Sequence, residues 1–181
     1  MVMVDQNALE IWLYRLLATV LIALWIFASL LPINGAGAGL PWPDLAYCLM
    51  IAWILRRPEF MPFPLIVVLG LTMDFLFFKV PGAWTLILLL STEILRKSSV
   101  TEGNSGLIYE GGAVLATLVG AFLGHRALLA IFGVQQPPLG GTLLELVFTL
   151  LAYPLVVLIS VYILQIRRPD LAESLSFKIR S

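Results

Sequence analysis

The chain has 181 residues, of which 60% are hydrophobic and 12% charged, about half the charged share of an ordinary soluble domain. Eleven lysines and arginines balance eleven acids, so no bulk charge recruits nucleic acid, and the single cysteine, Cys48, excludes an internal disulfide. These figures describe an all-α membrane protein in which basic residues matter through where they sit.

The first apolar run extends from Ile11 to Leu31. About 20 apolar residues is spanning length, whereas a secretory signal core holds about 7–15. The preceding tail carries Asp5 and Glu10 in place of a basic cluster, so the run is expected to persist as a helix even though Ala36-Gly37-Ala38 offers a cleavage-like pattern. The next runs are Trp42 to Leu55, Phe60 to Phe78, Pro81 to Leu95, Leu107 to Val134 and Thr142 to Ile166. The second and fourth, about 15 residues each, fall below the roughly 17–25 of a simple span, and are expected to be tilted, re-entrant or set in a thinned bilayer. Four spans with two partial ones is the alternative to six.

Charge sidedness favours six. With both termini inside, Arg15, Arg56, Arg57, Arg96, Lys97, Arg167, Arg168, Lys178 and Arg180 share the cytoplasmic side, leaving only Lys79 and Arg126 toward the other. The expected layout is one polytopic domain over residues 1–181. Residues 169–181 form a short cytoplasmic tail, with some potential for a surface helix, and the connections at 32–41 (with Gly35, Gly37 and Gly39), 79–81 and 133–141 face outward.

Along the fifth run, Gly112, Ala116, Gly120 and Gly124 recur every four residues and form one smooth stripe. Such stripes let helix backbones approach closely, either inside the bundle or against a partner's helix. Asp74 lies in the outer third of the third run, where an isolated charge costs several kcal/mol, so it needs a partner. By depth the expected partner is Arg126, with Glu145 or Asp44 nearby; the pair either fixes helix order or forms a polar site for a partner. Glu93 is placed to meet Arg96 and Lys97 along one helix face, and Glu110 to meet the positive end of the fifth helix dipole. Pro154 interrupts the sixth run and is expected to kink it. His125, the one histidine, has no companion at metal-ligand spacing and reads as a packed imidazole, and Cys48 as a small packing residue. No nucleophile elbow, zinc helix or phosphate loop is present in the sequence, so a non-enzyme without cofactor or metal is expected.

Pro43-Asp44, Trp53, Arg56-Arg57-Pro58-Glu59, Gly70-x-x-x-Asp74 and Pro81-Gly82 stand in an order and spacing that resembles the MreD family of rod-shape-determining proteins. The likeness covers about a third of the chain, from Leu40 to Lys97. Trp42 stands where members carry an arginine, and Phe77, Phe78 and Lys79 replace small turn residues. The resemblance implies a bacterial inner-membrane subunit of the cell-elongation machinery that binds the bitopic scaffold MreC. Through MreC it would be linked to the glycosyltransferase RodA, its penicillin-binding transpeptidase and, indirectly, MreB filaments, in support of peptidoglycan synthesis. It also implies a six-helix bundle like that of the substrate-binding subunits of energy-coupling-factor transporters. Asp44 and Asp74 would then be structurally important, with Trp42 and Trp84 as partner contacts or interfacial anchors. The competing reading is a vitamin-type transporter subunit, which requires an outward pocket rich in polar and aromatic side chains.

Overall fold

Proline and glycine interrupt the apolar sequence at the points where its helices end. The computed structural model describes residues 6–31, 42–101, 107–164 and 166. These form α1 (Gln6–Leu30), α2 (Leu45–Arg56), α3 (Phe63–Leu76), α4 (Ala83–Thr101), α5 (Leu107–Ile131) and α6 (Leu139–Tyr162), with a single 3-10 turn, Pro58–Phe60, between α2 and α3. No strand occurs among the described residues. α1, α5 and α6 are long and apolar enough to cross a membrane, which makes the chain a helical membrane protein. The glycine-bearing segment 32–41 and the tail 169–181 lie outside the described residues.

The short elements are not all where hydropathy alone puts them. α2 is short as expected, but its short companion is α3, with 14 residues, while α4 runs to 19. Two backbone breaks shorten α3: Pro62 caps its start, after the separate 3-10 turn that Pro58 opens, and Phe78 adopts φ +52° just past its end. α4 is longer than its apolar run because Arg96 and Lys97 end the hydropathy without ending the helix; charged residues with long side chains are good helix formers.

α2 is the interior of the bundle. Every residue from Met50 to Arg56 is buried, and the helix packs against α1, α4, α6 and the 3-10 turn. A helix apolar on all sides must be surrounded, and twelve residues reach only about 18 Å, so the longer helices around α2 supply the rest of the thickness. One hydrophobic cluster joins all six helices, with Trp53, Tyr47, Met50, Leu88 and Leu118 among its fully buried members. The outer face of α1 shows Trp12, Leu16, Val20, Leu24 and Phe27 exposed, a surface suited to hydrocarbon.

Candidate functional site

Among the described residues two polar centres stand out, one at each end of α2. At the first, Asp44 stands immediately before α2, buried, and its Oδ1 accepts from Tyr47 N at 2.9 Å, closing an N-cap. The Asp44 amide in turn donates to Thr149 Oγ1 at 3.0 Å, and Thr149 donates to the Glu145 carbonyl at 2.6 Å, so the start of α2 is tied to α6. The Cys48 thiol donates to the Thr149 carbonyl at 3.3 Å, as fits a buried packing cysteine.

Asp74 is fully buried near the end of α3 and acts on the next helix. Its Oδ2 accepts from Gly82 N (2.9 Å), Thr85 N (3.2 Å) and Thr85 Oγ1 (2.8 Å), donors just before and within the first turn of α4. This overturns the expected pair with Arg126: the partner of the buried carboxylate is a helix N-terminus, whose aligned amides stabilise a negative charge without a cation. Gly70 belongs to the same construction. A Cβ there would lie 3.0 Å from both Thr85 Cγ2 and Thr85 Oγ1, so glycine lets α3 and α4 approach at the residue that holds Asp74. Gly82, at φ +85°, completes the turn. The motif Gly70-x-x-x-Asp74, followed by Pro81-Gly82, is therefore a device for folding one helix back on another.

Arg126 is engaged elsewhere. Its guanidinium donates to Pro137 O (3.0 Å), Thr142 Oγ1 (3.3 Å) and Gln136 Oε1 (2.7 Å), while Gln136 Nε2 returns a bond to the Arg126 carbonyl, so this side chain organises the α5–α6 connection. Glu145 is half-buried on α6 at the same end. Trp42 is 45% exposed ahead of α2, in keeping with an anchor or contact, but Trp84 is buried. Its indole packs against Tyr47, Phe122 and His125, with the Lys79 ammonium 5.0 Å from the ring centroid. Trp84 is thus no interfacial anchor: it lies on the face of α4 turned toward α2 and α5.

The stripe on α5 points mostly away from the bundle. Gly112, Ala116 and Gly120 are exposed, and a Cβ at either Gly112 or Gly120 would meet nothing within 4 Å. Only Gly124 serves internal packing, with Ile87 Cδ1 3.1 Å from its Cβ position. The spacing is regular, but α4 and α6 cover one flank of α5 and leave the other flank open.

The second centre, at the opposite end of α2, escaped the sequence reading. Arg56 and Glu110 form an ion pair at 3.2 Å, with side chains only 7% and 8% exposed. Tyr153 donates to the same Glu110 oxygen at 3.1 Å, and Arg56 Nη1 donates back to the Ala52 carbonyl. α2, α5 and α6 are thereby joined by buried polar contacts, reinforced by Trp53 Nε1 donating to Ser160 Oγ at 3.2 Å. A signal existed: alternating crossings put the end of α2 and the start of α5 on one side, and Arg56 and Glu110 sit at those two ends. Around this centre Arg15 donates to the Glu59 carbonyl, Arg57 pairs with Glu59 at 3.3 Å, and Arg96 pairs with Glu93 and donates to the Met61 carbonyl.

No family model, curated protein or solved structure matches this chain.

Proposed function

We propose that this chain is a non-catalytic membrane scaffold of the MreD type, which crosses the bacterial inner membrane six times with both termini inside. Its role is to hold the single transmembrane helix of an MreC-like partner and, through it, the RodA synthase with its transpeptidase and the MreB filaments. The observation that carries this reading is the open flank of α5, where Gly112, Ala116 and Gly120 offer a smooth surface among exposed Leu115, Val119 and Leu123. In hydrocarbon, helices associate by close backbone packing, and an unpartnered small-residue face suits a second helix. The use of the polar residues supports the same reading. Asp44 and Asp74 cap helices, and Arg56, Glu110 and Tyr153 bind one another, so the buried polar groups brace a bundle instead of lining a reaction centre. The sidedness of charge supports the orientation: Arg56, Arg57, Arg96 and Lys97 gather at one end, Lys79 and Arg126 at the other.

The test is capture from detergent-solubilised membranes. The wild-type chain is expected to retain a single-pass periplasmic partner, and Gly120→Leu is expected to fold normally but lose most of that partner. Equal capture by both proteins overturns the α5 face, and cells that keep their rod shape and width after depletion overturn the assignment itself. A tightly bound small solute in the purified protein would instead favour the transporter-subunit reading.

A further inference from the structure

The apolar stretch Ala8–Leu30 of α1 contains a single basic residue, Arg15, and among the described residues no carboxylate pairs with it. Counted from Gln6, it lies about 13 Å along the helix. Apolar surface continues on both sides of it, with Leu9, Trp12 and Leu13 exposed toward the helix start and Leu16 and Val20 beyond. The short interior sets this depth. α2 ends at Arg56, and the 3-10 turn that follows packs against α1. Arg15 Nε and Nη2 donate to the Glu59 carbonyl of that turn at 3.3 and 3.0 Å, Arg57 pairs with the Glu59 carboxylate, and Arg96 donates to the Met61 carbonyl. Three guanidinium groups therefore gather around one turn, at a level where α1 still presents an apolar face to the surroundings.

The charges at this level do not cancel. Glu59 faces Arg57, Glu93 faces Arg96 and Glu110 faces Arg56, while Glu10, earlier on α1, forms no ion pair with Arg15. Lys97, next to Arg96, adds a further positive charge. The Glu59 carbonyl satisfies two N–H groups of Arg15 without neutralising it, and the Nη1 hydrogens have no partner among the described residues. The guanidinium is half-buried and lies 5.1 Å from the centroid of the exposed Trp12 ring, so it is held at the lipid-facing edge of the bundle. A cation at this depth is tolerated where the bilayer thins and headgroups are drawn in to it. A planar guanidinium fixed on one side by a carbonyl presents its remaining fork to an anion with paired oxygens, and phosphate is the anion that a membrane supplies.

We propose that Arg15, backed by Trp12 and Arg57, binds the phosphate of an anionic phospholipid and draws that leaflet in to the level of the 3-10 turn. The phosphate accepts from Arg15 Nη1, the acyl chains lie along Leu16 and Val20, and the indole of Trp12 sits at the glycerol level, where such rings are favoured. The thinning fits the leaflet to an interior helix only about 18 Å long. This site uses α1 and the 3-10 turn and not the flank of α5, so it stands or falls apart from the scaffold reading.

The test uses the full-length protein, stripped of lipid in detergent and titrated with phosphatidylglycerol, with bound lipid counted by native mass spectrometry. One firmly held phosphatidylglycerol per chain is expected, with phosphatidylcholine about fivefold weaker or more, as suits the excess positive charge. Millimolar inorganic phosphate is expected to leave the lipid in place. Arg15→Gln, which keeps a donor for the Glu59 carbonyl, is expected to bind phosphatidylglycerol about tenfold more weakly. Equal affinity in wild type and Arg15→Gln, or equal binding of the two lipids, overturns the proposal, and displacement by inorganic phosphate reassigns the site to a soluble anion and overturns it as a lipid site. Should Arg15→Gln fail to fold, Trp12→Leu decides: it removes an exposed ring, is expected to weaken binding about threefold, and overturns the proposal if binding is unchanged.

Discussion

A carboxylate in hydrocarbon must find several donors, and the two centres of this bundle solve that in different ways. Asp74 takes its donors from the start of the following helix, whereas Glu110 takes an arginine and a tyrosine from two other helices. The second solution is the more vulnerable to truncation, because removing one member leaves a buried charge uncompensated, at a cost of about 3–5 kcal/mol. Glu110→Ala is therefore expected to lower unfolding stability in detergent by about 3 kcal/mol. Replacing both partners, as Arg56→Met with Glu110→Leu, is expected to recover most of the loss. A double variant no more stable than the single one would show that the pair is not what holds these helix ends. The need of Asp74 for a partner was legible in the sequence, since it stands alone in an apolar run. Its partner was not, because backbone amides at a helix start carry no letter in the sequence, whereas the cations at Arg126 and Lys79 do. Arg56 was hidden for the opposite reason: a basic residue at a helix end is normally a topological charge in the headgroups, and only burial reveals it as structural.

At the scale of the element, α3 and α5 stop in the same way with different residues. α5 closes with Gly133 at φ +65°, Val134 N donating to the Leu129 carbonyl and Gly133 N to the Ala130 carbonyl. α3 closes with the same two bonds, Lys79 N to the Asp74 carbonyl and Phe78 N to the Phe75 carbonyl, but Phe78 occupies the left-handed position at φ +52°. Its ring is 96% exposed, so little packing offsets the backbone cost. Phe78→Gly is expected to raise stability by about 1 kcal/mol, read as a higher melting temperature in detergent. The glycines on the helices separate by the same logic. Gly70→Ala drives a methyl against Thr85 and is expected to cost about 1–3 kcal/mol, while Gly120→Ala meets open space and is expected to be neutral or slightly stabilising. If both alanines prove equally harmless, the close approach of α3 and α4 is not required. The pattern Gly70-x-x-x-Asp74 was legible as a special segment, but only the structure separates the glycine that packs from the Gly112, Ala116 and Gly120 stripe that does not, since a four-residue spacing fixes a face without saying what covers it.

For the whole molecule, helix length and burial are coupled, and this is where hydropathy misleads. A run that ends at a charge looks short even when the helix continues, as α4 does through Arg96 and Lys97, and a run that crosses a proline looks long even when it breaks, as the third run does at Pro62. The number of helices survives both errors because the break at Pro62 falls at the start of its run and leaves one helix after it, and the two errors leave the alternation of ends unchanged. Orientation follows from that alternation: the α3–α4 turn carrying Lys79 and the end of α4 carrying Lys97 must lie on opposite sides if α4 crosses the bilayer. Single cysteines test it on a silent background, because Cys48 is buried and its thiol already donates to Thr149. In intact cells a membrane-impermeant maleimide is expected to label Lys79→Cys and to spare Lys97→Cys until the membrane is opened. Labelling of both from outside would make α4 a re-entrant element, bring the Arg56–Glu110 centre to the outer face, and leave the open flank of α5 without the orientation a periplasmic partner's helix needs.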